Sequence, residues 1–120
     1  MNKKTTDKDF KLFKTECQKW IDKFELNEWK VYYKHEELKR SVFAEINSNL
    51  HGRVTIITLE KDWPMEGIES IEDSIKEVAK HEVIHLLLVQ LYSNAQTRYV
   101  NKDQVDEAEE VIVRKLEKLL

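Results

Sequence analysis

A chain of 120 residues can bury one hydrophobic core but leaves no room for a second catalytic module with its own. Hydrophobic residues at 41% and charged residues at 36%, with only two Gly and one Pro, exclude a disordered or low-complexity polypeptide and point to a helix-rich fold. The formal net charge of −3, with Lys and Arg scattered among Asp and Glu, offers no broad positive field, so a dedicated nucleic-acid binder is not expected.

Phe10, Phe13, Cys17, Trp20, Ile21 and Phe24 recur at three- and four-residue steps, which predicts an amphipathic helix from about Asp7 to Phe24. Trp29, Val31 and Tyr33 alternate with Lys30, Tyr32 and Lys34, and Val42, Ala44 and Ile46 alternate with Phe43 and Glu45, as half-buried strands do. The β-branched run Val54 to Leu59 follows the turn-rich Asn47 to Gly52 and suits a third, more buried strand. Trp63 to Gly67 breaks the pattern, and Ser70 with Asp73 has the form of a capping box that opens a second helix. That helix is amphipathic from Ile71 to Lys80 and apolar all round from Val83 to Leu91, which places His81 and His85 deep in the fold. A polar connection from Ser93 to Asp103 leads to a last helix, capped by Asn101 with Gln104, that runs to Leu120. The expected architecture is a single α+β domain over residues 1–120, with an N-terminal helix, a small three- to four-stranded sheet, a motif helix and a C-terminal helix.

The motif is His81-Glu82-Val83-Ile84-His85. Residues four apart on a helix lie one turn above each other, so both imidazoles can meet at one point and bind a zinc ion. Glu82 lies about 100° round the helix from His81 and can reach a water on the metal without ligating it, the position of a general base. The plainer alternative is two part-buried histidines bonded to backbone beside a solvated Glu. Burying two imidazoles and a carboxylate unpaired where the helix turns apolar would be costly, and a metal removes that cost.

Catalytic zinc needs a third protein ligand and an open position. Val105, Ala108, Ile112, Leu116 and Leu119 share one face of the last helix, and Glu109 falls inside that stripe while Glu107 and Glu110 point away. Glu109 is therefore the expected third ligand, with Asp106 and Glu110 as alternatives and a snorkelling surface Glu as the plainer reading. His51, before Gly52, reads as an exposed turn histidine, and His35 as a solvent-facing residue of a charged connection. Tyr92, Arg98 and Tyr99 could donate to an oxyanion, although packing and surface roles are the commoner ones for such residues. Trp20, Trp29 and Trp63 are core or cleft-wall residues.

The HEVIH helix with its apolar tail Leu86 to Leu88, the preceding strands and the segment Asp106 to Leu116 resemble the Glu-ligand zincin metallopeptidases, and most closely small zincin-like proteins of phages and bacteria. The resemblance covers most of the chain, and only HEVIH is specific. It implies zinc at His81, His85 and Glu109, catalysis by Glu82, and a strand beside the cleft that aligns a peptide. The chain departs from the metzincins, since Leu88 and Leu91 stand where their Gly and third His would be. It departs from SprT-like proteins, whose third ligand is a histidine, because none follows His85, so their DNA-linked role is not carried over. The spacing of acids around Ala108 also fits the repressor-cleaving phage-related proteases poorly.

The sequence thus predicts a zinc-dependent hydrolase, a metallopeptidase whose zinc-bound water is activated by Glu82, with a peptide or protein as substrate. The alternative is a zincin-like protein-binding module, acting in phage assembly or repressor control without turnover. Cys17 as the only cysteine excludes an intrachain disulfide and a thiolate cluster and suits a reducing compartment. The polar Met1 to Lys11 lacks the apolar run of a signal peptide, and no stretch approaches the ~20 apolar residues of a membrane span, so a cytoplasmic protein is expected.

Overall fold

The computed structural model describes residues 2–38, 42–89, 92–93 and 102–119. Five strands and three long helices follow one another as β1 (Asn2–Lys4), α1 (Asp7–Lys23), β2 (Lys30–Glu36), β3 (Ala44–Asn49), β4 (Val54–Glu60), β5 (Asp62–Pro64), α2 (Ile71–Leu87) and α3 (Lys102–Leu119). The class is α+β. Val89, Tyr92 and Ser93 are also helical. The expected cap at Asn101, together with Arg98 and Tyr99, lies outside the described residues.

α1 starts where expected, and its boundary has a local cause. Thr6 accepts a hydrogen bond from the Asp9 amide while the Asp9 carboxylate accepts one from the Thr6 amide, so two orphan donors of the first turn are satisfied. Phe13, Cys17, Trp20 and Ile21 form its buried face. This face packs along α2, which contributes Ile75, Ala79, Val83 and Leu86 to the same core. Each fully buried aliphatic or aromatic side chain in this layer contributes roughly 1.5–3 kcal/mol of transfer free energy.

The main sheet runs in the order β2-β4-β3. β4 is central, parallel to β2 and antiparallel to β3, with Ala44 opposite Leu59 and Ile46 opposite Ile57. Val31, Tyr33, Ile46, Ile57 and Leu59 all join the core against the helices. Period-2 alternation therefore finds β2 and β3 but not their ends: Asn47, Ser48 and Asn49, expected in a turn, continue β3 by pairing with Ile56, Thr55 and Val54, and the apolar run of β4 reflects its central place in the sheet. A second sheet, β1 with β5, pairs Lys3 with Trp63. Nothing in the period-2 pattern of so short a segment announces it, and Trp63-Pro64 reads in sequence as a break although it is a strand end with Trp63 wholly buried.

Two histidine assignments resolve differently. His51 is exposed in a turn, as expected. His35 is not in a solvated loop: it lies on β2, stacks on Phe10 with ring centroids 4.9 Å apart, and meets the Thr5 hydroxyl at 2.6 Å. The strand continues through the charges around it because Glu60, across the ladder, is buried and accepts from the backbone amides of Leu38 and Asp62.

Candidate metal centre

α2 begins at Ser70, whose hydroxyl accepts from the Asp73 amide at 3.3 Å, and it ends at Leu87. Upstream, Gly67 at φ +79° makes the turn that Ile68 closes by donating to the Met65 carbonyl. With the helix start fixed, Ala79 and Val83 face the core, and His81 and His85 fall on the side toward α3 and the start of β3. Both histidines are half-buried rather than deep, because that side of α2 opens into a cleft.

The two imidazoles meet with their Nε2 atoms 3.2 Å apart. Their Nδ1 atoms face α3: Glu117 Oε1 lies 2.8 Å from Nδ1 of His81, and Glu109 Oε1 lies 2.9 Å from Nδ1 of His85. The Glu110 carboxylate straddles the opposite side, with Oε1 3.7 Å from His81 Nε2 and Oε2 3.5 Å from His85 Nε2. Ligand atoms of His81, His85 and Glu110 all lie within 4.8 Å of one another, a set that could hold a metal ion.

The donor chemistry sharpens this. An ionised carboxylate only accepts, so Nδ1 of each histidine carries the proton given to Glu117 or Glu109. In the neutral tautomers both Nε2 lone pairs then point into the same small space beside a third acceptor, Glu110. Three acceptors converging there can share a cation, a proton or a donating water between them. Two imidazoles and one carboxylate suit a borderline metal such as zinc, and a carboxylate on the far nitrogen of each imidazole is the usual way such ligands are oriented.

Glu109, expected as the third ligand, thus sits at the far nitrogen of His85, and Glu110, expected to point away, faces the convergence point. The stripe reading weighed only the apolar residues. Val105 is buried and Leu116 half-buried, as that reading requires, but buried Val113 also belongs to the face and turns Glu110 and Glu117 toward α2. Glu110 and Glu117 are seven residues apart, two turns along one side of α3, and that spacing opposite a histidine pair was the available signal. Asp106 is engaged elsewhere, accepting from the Tyr92 hydroxyl and from Lys102, and this hydrogen bonding holds its carboxyl below the usual range. The same bond pushes Tyr92 up to about 12.

Glu82 is 7% exposed and makes no hydrogen bond among the described residues. Burial raises its pKa, opposed by the two neighbouring histidines. It lines, with His81, Glu110, Glu117 and Arg114, an open cleft of about 630 Å³ whose other wall is Val42, Phe43 and Ala44 at the start of β3. Lys80 is buried beside it, donating to the Glu117 carbonyl at 3.0 Å and pairing with Glu77 at 3.3 Å.

Comparison with protein families, with curated proteins and with solved structures gives no match to this chain. Among the described residues, no helix is long and apolar enough to cross a membrane.

Proposed function

We propose that this chain is a zincin-like, zinc-dependent hydrolase acting on peptides, with His81, His85 and Glu110 as its metal ligands and Glu82 as its general base. The observation that carries the reading is the convergence of three acceptors, two Nε2 atoms 3.2 Å apart and the Glu110 carboxylate, with each far imidazole nitrogen already bonded to a carboxylate. Held by these three residues, a zinc ion would supply Lewis-acid polarisation of a carbonyl and would bring the pKa of a water towards ~7.

Each residue has its own part. Glu109 and Glu117 orient the imidazoles and raise their basicity as ligands. Glu82, on the cleft side of the same helix, takes a proton from water and later hands it to the leaving amine. β3, an edge strand of its sheet among the described residues, begins at the cleft wall, and that edge can align an extended peptide by main-chain hydrogen bonds.

Elemental mass spectrometry of the purified protein tests the metal. About one zinc per chain is expected in the wild type and little in His81→Ala, His85→Ala or Glu110→Ala. Glu82→Gln should keep the zinc and lose hydrolysis. Hydrolysis that survives would take the base role from Glu82, whereas a binding function that is unchanged in Glu82→Gln, with no hydrolysis in the wild type, would mark the chain as a binding module without turnover.

A further inference from the structure

A second pocket, of about 340 Å³, opens at His85 and shares no lining residue with the cleft among the described residues. Ile46 and Val89 give it apolar walls, while Ser48, Tyr92, Ser93 and Glu109 bring oxygen atoms to it. Following each proton shows what those oxygens offer. Thr55 gives its hydroxyl proton to the Asn47 carbonyl at 3.2 Å, so in the 2.8 Å contact between Ser48 and Thr55 it is Ser48 that donates, and the Ser48 oxygen keeps its lone pairs. Tyr92 donates to Asp106, which leaves its oxygen an acceptor too. Glu109 has Oε1 on Nδ1 of His85 at 2.9 Å, and its second oxygen makes no hydrogen bond among the described residues.

Three acceptor oxygens thus line one pocket, one of them on a carboxylate, and no Lys or Arg among the described residues lines it. An alkylammonium or alkylguanidinium carries only donors and a positive charge, so its head matches those oxygens while its alkyl stem packs on Ile46 and Val89.

One side chain couples this pocket to the candidate centre. Glu109 bonds Nδ1 of His85, and Nε2 of the same ring faces His81 and Glu110. A cation on the second Glu109 oxygen draws charge from the carboxylate, which then polarises the Nδ1–H less and leaves Nε2 a poorer ligand. The positive charge of that cation also opposes a metal ion nearby, so both effects have the same sign.

We infer that this pocket binds the cationic head of an alkylammonium or alkylguanidinium, free or as the Lys or Arg side chain of a peptide, and that its occupancy weakens metal binding by His81, His85 and Glu110. The coupling rests on the metal reading of the centre, whereas the cation site stands without it. Linkage makes the effect reciprocal: bound metal weakens the cation by the same factor.

The probes are methylguanidinium, which keeps its proton and has no lone pair to give to zinc, and methylurea, its neutral counterpart. At constant ionic strength, NMR titration of the metal-free protein reads cation binding, and competition against a chelator reads zinc. Methylguanidinium should bind about tenfold more tightly than methylurea, and Ser48→Val and Glu109→Gln should each weaken it about three- to tenfold. Saturating methylguanidinium should lower zinc affinity about fivefold or more. Ser93→Lys, which brings its own ammonium to the pocket, should lower zinc affinity in the same direction with no probe added. Tighter binding of N-acetyl-arginine amide than of methylguanidinium assigns the cation to a peptide side chain, and equal binding assigns it to a free cation. No binding of methylguanidinium, equal binding of methylurea, or binding that neither Ser48→Val nor Glu109→Gln changes overturns the site. Cation binding with zinc affinity unchanged overturns the coupling and leaves the metal reading standing. A wild type that binds methylguanidinium but no zinc overturns the metal reading and with it the coupling, and leaves the cation site standing.

Discussion

Glu117 places its carboxylate oxygen 2.8 Å from Nδ1 of His81, on a helix that joins α2 across 36 residues of chain. One carboxylate on α3 thus fixes the ring orientation, and with it the direction in which the other nitrogen points. Glu117→Gln should therefore weaken zinc binding by about 10–100-fold without changing its stoichiometry. Glu109→Gln should do the same through His85, whereas Glu110→Ala, which removes the proposed third ligand, should cost more than either. Glu107, exposed on the same helix, is the control, and Glu107→Ala should leave affinity unchanged. Competition against a chelator of known affinity measures all four. A larger loss in Glu109→Gln than in Glu110→Ala would exchange their roles.

Lys80 holds the same residue by its main chain. The Glu117 carbonyl belongs to the last turn of α3, where carbonyls have no intrahelical partner, and the buried Lys80 ammonium supplies one at 3.0 Å. Lys80→Met keeps most of the apolar stem and removes the donor. It should lower stability by about 1–3 kcal/mol in urea denaturation, the loss of a part-buried hydrogen bond from a charged donor. Lys76→Met, which removes an exposed pairing with Glu72, should stay within about 0.5 kcal/mol of wild type.

Tyr33 offers a prediction of opposite sign. Its hydroxyl is buried with no hydrogen-bond partner among the described residues, and burial pushes its pKa far up. An unmade hydrogen bond of this kind costs about 1–3 kcal/mol, so Tyr33→Phe should leave the denaturation midpoint unchanged or raise it. A fall of more than about 1 kcal/mol would show that the hydroxyl is bonded in solution.

His35 predicts a pH dependence. Burial against Phe10, with Lys61 nearby, lowers its pKa below the ordinary ~6.5, so the folded chain binds fewer protons there than the unfolded one. Its contribution to stability is fully present above the unfolded value and is lost as pH falls through that value toward the lower folded one. Stability profiles taken between pH 8 and pH 5, about the range in which histidines titrate, should flatten in His35→Gln relative to wild type. Parallel profiles would show that His35 titrates alike in both states.

The elements that sequence periodicity reveals are those whose burial is one-sided. α1, with Phe13, Cys17 and Ile21 on one stripe, and β2, with its strict alternation, follow from that rule, while β4 shows instead as a β-branched run because most of its residues are buried on either face. β1 and β5 do not, because three residues are too few to show a period and their pairing depends on Trp63 finding a place in the core. At the centre, His81, Glu82 and His85 were legible because one helical turn brings them together. The carboxylates opposite were not, since which of Glu109, Glu110 and Glu117 meets which nitrogen depends on the rotation of α3 about its axis. That rotation goes with the burial of Val105 and Val113, a tertiary fact.

The register between β3 and β4, Ala44 on Leu59 and Ile46 on Ile57, bears on how freely the cleft can vary. A shift of one residue would turn Ala44 and Ile46 outward and bring Glu45 and Asn47 into the core, so the pairing is locked at Ala44, where the cleft wall meets the strand, and at Ile46 beyond it. Val42 and Phe43, which form that wall, precede the first locked pair. The Phe43 carbonyl accepts from the Glu60 amide and the Trp63 indole, so the main chain of this wall is anchored while the side chains of Val42 and Phe43 are what a ligand meets. The fold therefore divides the wall between main-chain bonds that keep it in place and side chains that a change of ligand would need to alter.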